Sequence, residues 1–339
     1  MPGGYKVAII GTTGLVGEEM RAVLRERRFP VRELKLLASA RSAGRTLSWG
    51  ERQVQVETLV SDSFAGVDIA LFSAGSGISL DYAPVAREAG AVVIDNSSAW
   101  RMDLDVPLVV PEVNPGALAD HGGIIANPNC STIQMVMALK PLHDLWTMKR
   151  VIVSTYQAVS GTGREAVDEL LEQTRDILAD RAPRSGVYAH PIAFNLFPHI
   201  DVFEDSGYSK EEIKMIAETR KIMDLPELRI TATTARVPVV TGHSESVNIE
   251  FERKVDVAEA RRVLTGAPGV TLLDDPENNI YPTPLAAAGT DSVYVGRVRR
   301  DESVENGLNL WVVADNLRKG AALNAVQIAE ALVDQGRLR

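Results

Sequence analysis

The opening segment constrains the fold most, because a short apolar run passes into a helix through a glycine-rich loop. The run Lys6 to Ile10 leads into Gly11-Thr-Thr-Gly-Leu-Val-Gly17, and a helical pattern covers Glu18 to Arg27. Glycines at such a turn let the backbone approach a pyrophosphate while the helix N-terminus faces its charge. Thr12 stands where the usual G-x-G-x-x-G spacing has its first glycine, so a tight turn without a ligand stays an alternative.

Strand-like and helix-like patterns alternate through the first 130 residues. Further short apolar runs lie at Leu34 to Ala38, Val67 to Ser73, Ala91 to Asp95 and Ile124 to Ala126, with a helical pattern at Leu80 to Ala89. This alternation predicts an α/β domain with a doubly wound, mostly parallel sheet.

From Arg150 onwards the pattern changes to longer β-rich segments. They lie at Val151 to Ala158, Leu228 to Val240, Ser246 to Phe251, Val293 to Val298 and Leu308 to Ala314. Helical patterns cover Arg164 to Asp180, Lys210 to Met223 and Ala258 to Leu264, and an amphipathic helix covers Lys319 to Asp334. The mixture predicts an α+β second domain on a largely antiparallel or mixed sheet.

Charge and composition exclude several classes of partner. The net charge of -9 and pI near 5.2 argue against a nucleic-acid or anionic membrane surface. No apolar run reaches the roughly 18 residues of a membrane span. The single cysteine rules out an intrachain disulfide, and the first residues lack signal-peptide features. We therefore expect a cytoplasmic protein that binds neither nucleic acid nor membrane.

That single cysteine, Cys130, stands in Asn127-Pro-Asn-Cys-Ser-Thr, where a loop turns into a helix. A helix N-terminus stabilises a thiolate, so Cys130 is a candidate nucleophile with Asn129 as a possible N-cap. Free cysteine is also a common buried apolar residue, so a core role is the alternative.

The end of the second predicted strand bears on the choice of cofactor. An acidic residue there would bind the ribose 2′-hydroxyl of NAD, but the chain has Ser39, Arg41 and Ser42 instead. Serine hydroxyls and an arginine suit a 2′-phosphate, which favours NADP.

A thiol nucleophile needs a base, and of the five histidines His243 is best placed. It follows a β-rich run and a Thr-Gly turn that can aim the imidazole into a cleft. Arg236 lies seven residues earlier and suits a substrate carboxylate, with a surface salt bridge as the alternative. We expect His121 and His143 to be ordinary core or solvated side chains.

Several motifs, in order along nearly the whole chain, resemble those of bacterial aspartate-semialdehyde dehydrogenases. They are the segments around Cys130, Asp95-Asn-Ser-Ser-Ala-Trp-Arg101, Gln157-Ala-Val-Ser-Gly-Thr-Gly163, Pro191 to Asp201, Arg236-Val-Pro-Val, Gly242-His-Ser and Asp315 to Ala325. The resemblance implies an NADP-binding domain at 1–129 plus 319–339. It also implies a catalytic and dimerisation domain at 130–318, similar to that of glyceraldehyde-3-phosphate dehydrogenase.

The resemblance assigns roles to individual residues. It makes Cys130 the thioester-forming nucleophile, His243 the acid/base partner and Gln157 the residue that orients the substrate. Arg236 would hold the α-carboxylate and Glu211 the amino group, although the adjacent Glu212 competes for that role. Phosphate would lie at Arg101 and Lys214. The cofactor-binding positions would be Gly11, Thr12, Thr13, Gly14, Leu15, Val16, Gly17, Ser39, Arg41, Ser42, Ser160, Gly161 and Asn316.

The implied enzyme is a homodimer without a metal. It interconverts L-aspartyl-4-phosphate and L-aspartate 4-semialdehyde with NADP and inorganic phosphate, on the route to lysine, diaminopimelate, methionine and threonine. Two alternatives stay open. N-acetylglutamyl-phosphate reductase uses similar Cys and His chemistry, but its acylated substrate offers Glu211 no ammonium group. A non-catalytic NADP-binding relative is the other.

Overall fold

The computed structural model describes residues 3–338. It divides into two compact units, Met1–Asn129 with Ala321–Arg339, and Cys130–Gly320. The first unit therefore resumes at residue 321, where the sequence led us to expect 319.

The first unit contains a seven-stranded sheet in the order β3-β4-β2-β1-β5-β6-β7. Its strands are β1 (Tyr5–Ile10), β2 (Val31–Ala38), β3 (Thr46–Trp49), β4 (Arg52–Thr58), β5 (Ile69–Phe72), β6 (Val92–Asp95) and β7 (Ile124–Ala126), with helices α1 (Leu15–Glu26), α2 (Ser76–Glu88) and α8 (Leu323–Asp334). All pairs except β3 with β4 are parallel. Because β1 lies between β2 and β5, the winding reverses at β1, as in the predicted doubly wound sheet.

The core of this unit joins the sheet to α1 and α8. Val7 and Ile9 of β1 are fully buried in one cluster with Met20 and Val23 of α1 and Val326 of α8. The two β1 residues lie two apart and so point to the same face of the sheet. Burying each such side chain contributes about 1.5–3 kcal/mol, so this cluster fixes α1, and with it the glycine-rich turn, against β1.

The second unit contains a mixed six-stranded sheet in the order β11-β12-β13-β10-β8-β9. Its strands are β8 (Met148–Gln157), β9 (Arg229–Arg236), β10 (His243–Phe251), β11 (Val270–Leu272), β12 (Val293–Asp301) and β13 (Gly307–Ala314). Its helices are α3 (Cys130–Trp146), α4 (Arg164–Leu178), α5 (Lys210–Met223), α6 (Val257–Gly266) and α7 (Pro284–Ala287). Helix α3 packs on β8, β10, β12 and β13, so one face of the sheet is covered.

Most predicted elements are confirmed, and four differences have local causes. The β3–β4 hairpin is absent from the prediction because its strands are largely exposed and polar, which leaves little apolar pattern. Helix α1 begins at Leu15, earlier than the predicted Glu18. Strand β9 ends at Arg236 and not at Val240, because Pro238 lacks the N–H that a ladder requires. Lys319 to Ala322 lie in a π-helical turn, Arg318–Ala322, ahead of α8.

Within residues 3–338, none of the helices is both long enough and apolar enough to cross a membrane.

Candidate active site

The glycine-rich turn of the first unit packs closely against neighbouring backbone. Gly11 has φ +83°, and a Cβ atom there would lie 2.3 Å from the Ser73 carbonyl oxygen. A Cβ atom on Gly17 would lie 2.5 Å from the Gly11 carbonyl oxygen. Gly14 precedes α1 and makes no side-chain cap, so the first amides of the helix are not used by a capping side chain. The hydroxyl of Thr12 is buried and has no hydrogen-bond partner in residues 3–338.

The loop after β2 lies beside this turn, because β1 and β2 are adjacent and parallel. Ser39 and Arg41 are exposed, and the amide of Ser42 donates to the Ser39 carbonyl oxygen at 2.9 Å. This compact turn presents two hydroxyls and one guanidinium group, and no carboxylate, at the carboxyl ends of the strands.

A third loop of the first unit follows β6. Asp95 is buried and accepts hydrogen bonds from the Ser97 hydroxyl at 2.6 Å and the Ser97 amide at 3.1 Å. Burial raises the pKa of the Asp95 carboxyl, and these bonds oppose that rise. Arg101 is 8% exposed, and its Nη2 donates to the Asn96 carbonyl oxygen at 2.7 Å. The loop thus holds one largely buried cation.

In the second unit, the ends of four neighbouring strands lie at the same end of the sheet. Gln157 ends β8 and lies in register with Arg236, which ends the parallel strand β9. His243 begins the antiparallel strand β10 and lies opposite Ala314, the last residue of β13. Adjacent strand ends therefore bring together Gln157, Arg236 and His243, residues separated by up to 86 positions in the chain.

Cys130 is the first residue of α3, as the sequence predicted, and it is half-buried. The N-terminus of a helix carries about half a positive charge, which stabilises a thiolate. Gly320 lies close by, since a Cβ atom on it would come within 2.9 Å of the Cys130 Cβ. Backbone is thereby packed directly against the thiol-bearing residue.

His243 is fully buried, and its two ring nitrogens differ in environment. The amide of Ala158 donates to Nδ1 at 3.0 Å, whereas Nε2 has no hydrogen-bond partner within residues 3–338. Burial, with a smaller contribution from Arg236, holds the pKa of His243 well below its usual value. An amide can only donate, so Nδ1 must accept and the neutral ring carries its proton on Nε2.

Arg236 lies at the same strand ends as His243 and is 5% exposed. Its Nη1 donates to the Ala158 carbonyl oxygen at 2.7 Å, and its Nε has no partner in the described residues. Tyr188 stacks nearby, with its ring centroid 6.0 Å from the guanidinium carbon. The alternative of a surface salt bridge is wrong, because Arg236 is buried and bonded to the backbone.

Gly161 lies against both residues. A Cβ atom on it would be 3.3 Å from His243 Nε2 and 3.3 Å from Arg236 Nη1. The free ring nitrogen and the guanidinium group therefore converge on one small region, which the hydrogen atoms of glycine leave open.

Gln157 leads to a second polar group. Its Nε2 donates to Glu211 Oε1 at 3.2 Å, and Lys214 Nζ lies 3.5 Å from Glu211 Oε2 and 2.6 Å from Asp201 Oδ2. Glu212 faces elsewhere, since it accepts from the amides of Ser209 and Thr234 and closes the capping box of α5. Glu212 thus has a structural use, which favours Glu211 as the carboxylate available to a ligand.

Asn316 fixes the turn between these strand ends. Its Oδ1 accepts from the Gly242 amide at 2.9 Å, and its Nδ2 donates to Ser160 Oγ at 2.9 Å. The segment that precedes His243 and the segment that precedes Gly161 are thereby tied to the end of β13.

Some features of this group escape sequence reasoning. Ala158 contributes only backbone atoms, and Tyr188 lies in a loop without a recognisable pattern. Glu245 and Gln134 are buried polar residues beside His243, on a strand and a helix whose patterns predict only burial. His121 and His143, by contrast, bond to local amides, those of Gly123 and Met148. In residues 3–338, no three His, Cys, Asp or Glu side chains are grouped so as to hold a metal ion.

Comparison with known proteins identifies relatives of both units. Residues 6–121 match the family model for the NAD binding domain of semialdehyde dehydrogenase, and residues 139–319 match the model for its dimerisation domain. The aspartate-semialdehyde dehydrogenase of Aquifex aeolicus (strain VF5) is 56% identical over 98% of this chain and 99% of its own.

Solved structures give the same result. The crystal structure of aspartate semialdehyde dehydrogenase II from Vibrio cholerae complexed with ASA has a TM-score of 0.95 at 50% identity, covering 98% of each chain. The enzyme from Candida albicans with NADP has a TM-score of 0.75 at 26% identity, covering 97% of this chain and 98% of that one. The doubly wound first unit and the mixed sheet of the second fit the expected dinucleotide-binding domain and a catalytic domain like that of glyceraldehyde-3-phosphate dehydrogenase. With two family models matched in order and relatives similar over their full length, the chain belongs to the aspartate-semialdehyde dehydrogenase family.

Proposed function

We propose that this enzyme interconverts L-aspartyl-4-phosphate and L-aspartate 4-semialdehyde, with NADP and inorganic phosphate, through a thioester on Cys130. The observation that carries the proposal is the convergence of His243 and Arg236 on Gly161, beside the Gln157–Glu211 pair, in the unit whose longest helix begins at Cys130. These groups supply the nucleophile, the hydrogen-bond donor and the two charges that an amino-acid aldehyde requires.

The first unit suits a dinucleotide. Gly11 and Gly17 let the turn pack so closely on neighbouring backbone that a Cβ atom would clash, and the buried Thr12 hydroxyl lacks a partner in the described residues. Together with the uncapped start of α1, they form a cradle for a pyrophosphate. Ser39, Arg41 and Ser42, with no carboxylate among them, favour the 2′-phosphate of NADP over NAD. When bound, the nicotinamide exchanges a hydride with the substrate carbon.

Cys130 would attack the acyl carbon of aspartyl phosphate as a thiolate. The carbon–sulfur bond forms, the carbon–oxygen bond to phosphate breaks, and inorganic phosphate leaves with the electron pair. After reduction of the thioester, the carbon–sulfur bond breaks, which releases the aldehyde and regenerates the thiolate. No group of the enzyme is consumed in the cycle.

His243 would act chiefly as a donor. Because the Ala158 amide occupies Nδ1, the neutral ring offers Nε2–H to the oxygen that becomes negatively charged when the substrate carbon turns tetrahedral. Forming the imidazolium would place a second N–H against that amide, which costs the Ala158 hydrogen bond. The acid/base role implied by the family resemblance therefore requires the ring to move, whereas the donor role does not.

Arg236 and Glu211 would bind the two ends of the amino-acid group. Arg236 Nε has no partner within residues 3–338 and suits the α-carboxylate, while Tyr188 limits the movement of the guanidinium group. Glu211 suits the ammonium group and is held by Gln157. Lys214, anchored by Asp201, would bind phosphate. Arg101, held by the Asn96 carbonyl oxygen, is the other phosphate-binding residue that the family resemblance predicts.

One assay tests the reaction. Purified protein, L-aspartate semialdehyde, NADP⁺ and phosphate are mixed and the formation of NADPH is followed. We expect turnover that depends on phosphate and is lost in Cys130→Ser, although this variant still binds NADP. Turnover only with N-acetylglutamate semialdehyde would replace our proposal with the reductase alternative. Silence with both substrates would favour a non-catalytic relative, and an active Cys130→Ser would remove the thiol from the mechanism.

We further propose that the enzyme is a homodimer formed by the uncovered face of the second sheet. Tyr156 is 38% exposed on that face, and its ring lies 5.5 Å from that of Trp311, which is also only partly buried. Exposed aromatic side chains on a sheet face are typical of an interface. A reducing compartment, the cytoplasm, suits the chemistry because Cys130 must stay a free thiol.

A further inference from the structure

Glu245 is the next inward-facing residue of β10 after His243, and it is fully buried. Neither of its carboxyl oxygens has a hydrogen-bond donor in residues 3–338, and the same is true of Gln134 Oε1. Burial raises the pKa of Glu245 well above its usual value, and the neighbouring Gln134 side chain opposes that rise. An ionised carboxylate without a donor would be costly in this position, so the group holds a proton.

Gln134 lies one helical turn after Cys130 on α3, on the same face of the helix. Its Nε2 is 3.4 Å from the carbonyl oxygen of His243. Gln134 Oε1 and both Glu245 oxygens are thus buried acceptors without a donor among residues 3–338. A proton on Glu245 would supply one, because the carboxyl group could then donate to Gln134 Oε1.

The surroundings of Glu245 supply no charge that would substitute for this proton. Its in-register neighbours are Thr155 on β8 and Val312 on β13, neither of which ionises in this range. Gln134 is the group that faces it from α3, and His243, two residues away, is neutral for the reasons given above. Gln134 is therefore the neighbour to which a protonated carboxyl group can donate.

We propose that Glu245 and Gln134 are positioning residues, joined in a buried hydrogen-bonded chain that runs from the Glu245 carboxyl group through the Gln134 amide to the carbonyl oxygen of His243. The chain links the first turn of α3, which carries Cys130, to the start of β10, which carries His243. It rests on the proposed function, since it assigns these two residues to the nucleophile and its donor. Neither touches the reacting atoms.

The test compares Glu245→Met, which keeps the size and removes the donor, with Glu245→Gln, which restores a neutral donor. Glu250→Gln, on the same strand but paired with Lys149 near the surface, is the matched control. Displacing a catalytic group by about 1 Å costs on the order of 100-fold in rate. We expect Glu245→Met to lower kcat at least about tenfold with little change in KM, and Glu245→Gln to recover most of the loss.

Alkylation of Cys130 by iodoacetamide over a range of pH provides a readout that needs no substrate. We expect the pH midpoint or the limiting rate to change in Glu245→Met and to return in Glu245→Gln. The variants can differ from the wild type in alkylation as expected while the wild type turns over no semialdehyde. In that case the proposed function fails and the positioning pair stands. A Glu245→Met variant with wild-type kcat and alkylation profile would overturn the positioning pair. So would a Glu245→Gln variant as impaired as Glu245→Met, because the ionised carboxylate would then be the active form.

If Glu245→Met does not fold, Glu245→Gln decides the matter through stability. A carboxyl pKa raised in the folded state means that wild-type stability is fully present below the unfolded pKa of about 4.5 and falls as pH rises. The melting temperature of Glu245→Gln, relative to that of the wild type, should therefore increase as the pH is raised from about 5 to about 8. A constant difference would mean that Glu245 does not hold the proton and would overturn the proposal.

Discussion

At the scale of single residues, Gly161 lies where an added methyl group would press against His243 and Arg236. It has no positive φ, so its backbone accepts alanine, but the added Cβ atom would lie 3.3 Å from both His243 Nε2 and Arg236 Nη1. We expect Gly161→Ala to lower kcat/KM by about 10- to 100-fold, because both groups shift, while the melting temperature changes little.

Gly266→Ala is the matched control in the same unit. A Cβ atom there meets nothing within 4 Å and the residue has no positive φ, so steady-state rates should equal those of the wild type. Equal rates in Gly161→Ala and Gly266→Ala would show that the space beside His243 is not used by the reaction.

His243 makes a second prediction at this scale. Because its folded-state pKa is lowered, its neutral form contributes stability fully above the unfolded pKa of about 6.5 and loses that contribution as the pH falls through this value. His243→Asn keeps an acceptor for the Ala158 amide but does not titrate. Between about pH 7.5 and pH 5, the wild type should lose up to about 2 kcal/mol of unfolding free energy relative to this variant. Urea denaturation at both pH values measures the unfolding free energies. If the wild type and His243→Asn lose equal amounts, the imidazole is exposed to solvent and not buried.

Residue type and position made the outline of the site predictable. Cys130 at a helix start and His243 after a Thr-Gly turn both follow from local sequence. The tautomer of His243 does not, because it depends on the amide of Ala158, 85 residues away. The choice between Glu211 and Glu212 likewise depended on the Thr234 amide, which only the fold brings near.

At the scale of secondary-structure elements, loops at strand ends carry the specificity of the first unit. Ser39 lies in the turn after β2, next to the glycine-rich turn after β1. An aspartate at Ser39 would repel a 2′-phosphate and accept from a 2′-hydroxyl. We expect Ser39→Asp to shift the ratio of kcat/KM values for NADP and NAD by at least about tenfold towards NAD.

Ser48→Asp, on the exposed hairpin of the same unit, introduces the same charge elsewhere and should leave that ratio unchanged. If Ser39→Asp also leaves it unchanged, the turn after β2 does not contact the 2′-phosphate.

Elements with a strong apolar period were predictable, including β7 and α5 to the residue. The β3–β4 hairpin was not, because its alternation is weak and its pairing depends on contact with β2. The π-helical turn at Arg318–Ala322 also lacks a sequence signal, since its residues continue an ordinary helical pattern.

At the scale of the whole molecule, the second sheet has one face covered by helices and one face with exposed aromatic side chains. If that face forms the homodimer, a charge at Tyr156 removes an aromatic contact and introduces a buried carboxylate. We expect sedimentation velocity to find a dimer for the wild type and mainly monomer for Tyr156→Glu. Leu104→Glu, at a leucine that is 96% exposed in the first unit, should remain dimeric. A dimeric Tyr156→Glu would move the interface elsewhere.

The closeness of Gly320 to Cys130 limits which sequences this chain can accept. Any side chain at 320 would have to occupy the space of the Cys130 Cβ, so even the smallest substitution, alanine, displaces the nucleophile. A library randomised at position 320 and selected for growth that depends on this enzyme should therefore return glycine alone, although the residue has no side chain with which to take part in the chemistry.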